Sequence, residues 1–195
     1  MRDLLSRHRT DVIRIAGICG VLLPVVIFSC LGLSIVSSPW FTWTEHALSD
    51  LGIQQSTAVV FNNGMILGGV LTCVFSLGLI AVLSNKTGAY LLLISSFALI
   101  GIGVFPETVS ALHFFTSASF FVILTLALLV MDITIKQNHF ERSIGFLALL
   151  FALMAIGSSV LLLEEKGVAL AEGFSCFPAF VWCLIVGTKM TLAAV

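Results

Sequence analysis

Apolar residues run along this chain in six long blocks, separated by short polar or Pro/Gly interruptions. A helix that crosses a membrane needs about 20 mostly apolar residues. Cutting at the interruptions predicts spans at 12–36, 57–83, 88–105, 109–133, 143–163 and 170–193. The third is short, but Lys86-Thr87-Gly88 and Pro106-Glu107 are clear stop signals at its edges. No internal repeat, low-complexity tract or linker divides the chain. The predicted fold is therefore all-α, a polytopic transmembrane bundle of six helices forming a single domain over residues 1–195.

Composition narrows the class further. Hydrophobic residues make up 59% of the chain and charged residues only 10%, with a mean hydropathy of +1.16. A soluble domain carries about 25% charged residues because its surface faces water. A water-facing globule, a disordered chain, collagen and a coiled coil are all excluded on these grounds. The formal net charge of −1 gives no pull toward nucleic acid, so membrane lipids are the expected partners.

Charge also sets the expected orientation. Arg2, Arg7, Arg9 and Arg14 precede the first span, Lys86 lies between spans 2 and 3, Lys136 and Arg142 between spans 4 and 5, and Lys189 ends span 6. Eight of the nine basic residues thus share one side, with Lys166 on the other. The positive-inside rule makes the first side cytoplasmic, with both termini inside, in a multi-pass protein of the cell membrane. The basic N-terminus before an apolar run mimics a signal peptide. The run from Ile15 to Val36 exceeds the h-region of about 7–15 residues, so it is expected to remain as the first span. Arg2, Arg7 and Arg9 suit anionic headgroups, at about 1 kcal/mol each near the surface. The acids sort the other way: Glu45, Asp50, Glu107, Glu164, Glu165 and Glu172 are expected outside. Cation attraction, a polar site or simple loop solvation would each account for that excess.

Five cysteines, Cys19, Cys30, Cys73, Cys176 and Cys183, stand singly in apolar segments and read as small hydrophobes. Cys30 and Cys176 are the one pair that the spans allow to share the outer half of the membrane.

Chemistry-bearing residues gather on the outer side. The loop 37–55 carries Trp40, Phe41 and Trp43, which suit the headgroup region, and then Glu45, His46, Ser49 and Asp50. If Thr44 to Leu51 is helical, His46 and Asp50 stand at i and i+4 on one face. Such a pair can bind a divalent ion or act as an acid–base couple; a solvated or capping role is the plainer alternative. Span 2 opens with Asn62 and Asn63, read as interhelical glue, and Gly64 and Gly68 form a small-xxx-small pair for close packing. In span 4, Ser110, His113 and Ser117 form a polar stripe, and an intramembrane His is a functional candidate unless a neighbouring hydroxyl or carbonyl satisfies it. Glu172 starts span 6 beside Leu170 and Phe174. Pro24 and Pro178 lie inside spans and can kink them. His46, Asp50, Asn62, Glu107, His113 and Glu172 come from separate segments at a similar depth, so convergence in one outward-facing pocket is expected. The cytoplasmic side, with His8, His139, Asp132 and Glu141 among basic residues, offers nothing comparable.

The strings His46-Ala47-Leu48-Ser49-Asp50-Leu51-Gly52, Phe61-Asn62, and Phe105-Pro106 leading to His113 resemble the prokaryotic domain-of-unknown-function family 998. The resemblance covers nearly the whole chain and implies six membrane spans. It singles out Ser49, Asp50, Gly52, Asn62, Pro106 and His113. Where many relatives have Glu-Arg before the last span, this chain has Glu172-Gly173, without the charge pair. A more distant similarity to the DRAM/Frag/Sfk six-span proteins implies an association with lipids, but no reaction.

Together these readings favour a membrane protein whose outer pocket binds or handles a lipid or amphiphile, with Ser49, Asp50, Asn62, Glu107, His113 and Glu172 as binding residues. The alternative is a metal-dependent lipid hydrolase or lipid-remodelling enzyme. In that reading His46, Asp50 and His113 are catalytic candidates, and His46, Asp50, Glu107 and His113 hold a divalent metal that activates water. A small-molecule transporter is the third reading.

Overall fold

The structure, a computed structural model, describes residues 2–134, 139–158 and 167–193, without the side chains of residues 2–9, 132–141 and 193. Six α-helices follow one another: α1 (Arg2–Val36), α2 (Ala58–Val82), α3 (Thr87–Val104), α4 (Ser110–Thr134), α5 (His139–Ser158) and α6 (Ala169–Ala193). No strand occurs among the described residues, so the all-α expectation holds. Five helices are long and apolar enough to cross a membrane; the apolar part of α5 that is described, Arg142–Ser158, is shorter. Residues 159–163 of the expected fifth span lie outside the described residues, as do Lys136, Glu164, Glu165 and Lys166.

The first apolar span, Thr10–Val36, agrees with the expected 12–36, and its helix continues back to Arg2. The stretch Arg2 to Asp11 contains neither Pro nor Gly, and a helix has no reason to stop where hydrocarbon ends. At about 1.5 Å per residue, α1 is about 50 Å long, which exceeds the hydrocarbon core of about 30 Å. Its polar turns therefore extend past the apolar segment that starts at Thr10. Pro24 and Pro178 lie within continuous α1 and α6.

The helices form an up-and-down ring in which each packs on its sequence neighbours and α6 closes on α1. Small residues set the register. A Cβ on Gly64 would strike Cys30, one on Gly68 would strike Ile27, and one on Gly78 would strike Ala16, so α1 and α2 run antiparallel in close contact. Gly17 and Gly20 face Gly187, Thr191 and Cys183, which joins α1 to α6 in the same way. Gly69 and Gly103 do so between α2 and α3, and Gly88 and Gly101 between α3 and α4. Lipid chains are as apolar as leucine, so close backbone approach through small residues supplies the contact energy that water supplies elsewhere.

Trp182 anchors the centre. It is fully buried, meets Phe75 edge-on at 6.1 Å, and donates from Nε1 to the Ile144 carbonyl at 3.1 Å, which holds α5 against α6. At the other end of that pair, the Ser158 and Ser175 hydroxyls lie 2.7 Å apart. Hydroxyls elsewhere in the helices donate back to their own turn, as Thr72 does to Gly68 and Ser76 to Thr72. Large side chains such as Phe97, Phe114, Phe115 and Phe146 cover the outside of the ring. All five cysteines are free thiols, so Cys30 and Cys176 are not bridged.

Candidate functional site

Antiparallel alternation brings the C-termini of α1 and α3 and the N-termini of α2, α4 and α6 to one end of the ring. The 37–57 segment covers that end. Its central feature is a 3-10 helix, Leu48–Gly52, whose sequence is LSDLG. Asp50 accepts the Ala47 amide at 2.9 Å and so caps the turn that contains it. Ala47 is extended (φ −95, ψ 155), so the chain is not helical from Thr44 to Leu51 and the expected His46/Asp50 face does not form. Propensity for a longer helix yields here to the local side-chain bond of Asp50.

His46 points away from that turn. Its Nδ1 accepts the Thr42 amide at 3.2 Å, and its ring lies 5.1 Å from that of Trp40 and 5.9 Å from that of Phe41. The backbone on either side docks on the start of α6: Gly167 donates to the Thr44 carbonyl and Ala169 to the His46 carbonyl, both at 2.9 Å. Gly167 must be glycine, because a Cβ there would collide with the backbone of Glu45 and His46.

Two helices and the α3–α4 corner hold the LSDLG turn. From α2, Asn62 donates to the Gly52 carbonyl at 2.9 Å, while Thr57, just before it, donates to the Leu51 carbonyl at 2.8 Å. From α6, Glu172 Oε2 accepts the Leu48 amide at 2.7 Å. Glu172 sits in the first turn of α6, where unpaired amides favour a carboxylate. From the α3–α4 corner, Glu107 Oε2 accepts the Ser49 hydroxyl at 3.5 Å and lies within hydrogen-bonding reach of Asp50. The charges of Asp50, Glu107 and Glu172 bear on one another. Asp50, Ser49, Asn62, Glu107 and Glu172 thus gather about the turn, but the expected shared pocket does not form: of these residues only Ser49 and Glu172 border the cavity beneath it, because the others are turned to the backbone and side chains of the turn itself.

His113 stands beside them but is already engaged. It is 8% exposed, with Nδ1 2.8 Å from the Phe105 carbonyl at the end of α3 and Nε2 3.2 Å from the Ser117 hydroxyl. A carbonyl only accepts, so Nδ1 carries a hydrogen, while Nε2 is paired with the Ser117 hydroxyl. His113 therefore clamps the turn at Pro106. Ser110, expected on the same stripe, is exposed instead, as is Asn63. Among the described residues, no three His, Cys, Asp or Glu side chains stand where they could hold a metal ion. His46 in particular is held apart by Thr42 and the aromatic rings.

Beneath the turn lies a small cavity that is open on one side. Its wall is almost wholly apolar, built from residues such as Ile27, Met65, Leu99, Phe121, Phe177 and Phe180, and its polar groups are Ser49, Ser117 and Glu172. No motif in the sequence announces this wall. Five separate helices contribute to it, and each lining residue is an ordinary apolar side chain. Gly167 and Thr57 carried no sequence signal either, because their partners are backbone atoms far along the chain.

Neither a curated protein nor a solved structure is significantly similar to the chain. These comparisons do not show the likeness to the DRAM/Frag/Sfk proteins. Residues 19–189 match the family described as "Protein of unknown function (DUF998)", a range that takes in the LSDLG turn, Asn62, the Phe105-Pro106 corner, His113 and Glu172. The chain therefore belongs to the DUF998 family, as a helical membrane-type bundle with one end closed by the LSDLG turn.

Proposed function

We propose that this protein binds a lipid or other amphiphile at the outer leaflet of the cell membrane, with both termini cytoplasmic. The observation that carries the reading is the shape and chemistry of the cavity. Its wall is apolar among five helices, and Ser49 and Glu172 at the LSDLG turn form its polar end. Ligand sites are concave and mostly apolar, with a few placed polar groups, and that combination matches a molecule with a tail and a head. The orientation rests on the eight-to-one division of basic residues.

The metal-dependent hydrolase is the weaker reading, since no three-donor set is assembled among the described residues and His113 spends both ring nitrogens on Phe105 and Ser117. Native mass spectrometry of the protein extracted in mild detergent tests the amphiphile reading. Wild type should retain one amphiphile per chain, and a cavity-filling Met65→Trp variant should lose it while keeping its helical circular dichroism. A wild-type protein that carries no bound amphiphile under conditions that keep it folded overturns the reading.

A further inference from the structure

The polar end of the cavity is acidic. Of its three polar side chains, the Ser49 hydroxyl is spent on Glu107 and the Ser117 hydroxyl is paired with His113. The third, Glu172, accepts the Leu48 amide on Oε2 and borders the cavity with its carboxylate. Asp50 and Glu107 add two carboxyl groups behind the turn, whose charges oppose each other. The basic side chains that are described, Arg14, Lys86, Arg142 and Lys189, all belong to the opposite end of the ring. Among the described residues, a phosphate or carboxylate head would meet like charge here and no basic side chain. A head that donates hydrogen bonds and carries positive charge meets what it needs.

We infer that the amphiphile taken by this cavity is a single-chain amine, with its protonated amino head on Glu172 beneath the LSDLG turn and its chain among Phe61, Phe121, Phe177 and Phe180. This rests on the amphiphile reading above and adds the head's chemistry. The phenylalanine faces on the wall suit the first methylenes beside an ammonium group, which aromatic rings attract.

Three twelve-carbon probes, dodecylamine, dodecanol and dodecyl phosphate, decide it. Each is added to the full-length protein in phosphatidylcholine nanodiscs at pH 7, and thermal unfolding is followed by tryptophan fluorescence. A ligand that binds only the folded state raises the melting temperature in proportion to the logarithm of its concentration. Dodecylamine should raise it at a concentration at least tenfold lower than dodecanol, dodecyl phosphate should leave it unchanged, and methylamine, which has no chain, should do nothing. In Glu172→Gln, which keeps an acceptor for the Leu48 amide, the advantage of dodecylamine over dodecanol should vanish. Dodecyl phosphate acting as well as dodecylamine overturns the amine head while leaving the amphiphile reading intact. No response to any twelve-carbon probe overturns both. An unchanged amine preference in Glu172→Gln overturns the role given to Glu172, and if that variant does not fold, the ranking of the three heads on wild type decides alone.

Discussion

The Leu48 amide donates to Glu172 Oε2 at 2.7 Å across 124 residues of sequence. It joins the segment after α1 to the first turn of α6, beside the backbone bonds of Gly167 and Ala169. Replacing Glu172 with Ala leaves the buried Leu48 amide without its acceptor. The expected loss is about 1–3 kcal/mol, the cost of a buried donor left unsatisfied, and Glu172→Gln should lose less than half of it. Thermal unfolding in nanodiscs reads both, and equal losses would mean that charge rather than the hydrogen bond holds the turn.

Gly167 and Gly52 differ from Gly32 in what surrounds them. A Cβ at Gly167 meets the His46 backbone, and one at Gly52 comes within 2.6 Å of Asn62 Oδ1, whereas nothing lies within 4 Å of the position at Gly32. Gly167→Ala and Gly52→Ala should each cost about 1–3 kcal/mol by overpacking. Gly32→Ala, inside α1, should be neutral or gain up to about 1 kcal/mol. A melting series of the three single variants checks the order, and a neutral Gly167→Ala would refute the docking of loop 37–57 on α6.

His113 joins the Phe105 carbonyl to Ser117. His113→Ala should lower stability by about 0.6–2 kcal/mol, the scale of intramembrane hydrogen bonds. Ser117→Ala, which removes only the hydroxyl on Nε2, should cost less. Because the ring is engaged on both sides, neither variant should respond differently from wild type to a chelator. A chelator-sensitive melting temperature in wild type that disappears in His113→Ala would restore the metal reading.

Orientation follows from charge, and two exposed positions test it. Glu45 lies on the covered end of the ring, whereas Lys86 lies in the α2–α3 loop at the opposite end. In a cysteine-free background, Glu45→Cys in intact cells should react with a membrane-impermeant maleimide and Lys86→Cys should not. The reverse pattern would turn the site toward the cytoplasm.

Hydropathy alone determined the helical class, the ends of α2, α3, α4 and α6 to within a residue or two, and the gathering of acids at one end of the bundle, because span length and the cost of charge in hydrocarbon are local properties of a stretch of chain. The same logic brought Asp50, Asn62, Glu107 and Glu172 to a common depth. What each does there was decided by tertiary contacts. Asp50 faces its own turn rather than His46 because Ala47 is extended, and His113 is a clamp because the α3 terminus places the Phe105 carbonyl 2.8 Å from it. The cavity wall was illegible for a related reason. A phenylalanine facing lipid and one facing a cavity are the same letter in an apolar block, and only the rotation and crossing of five packed helices separate Phe115, which is exposed, from Phe120 and Phe121 on the wall.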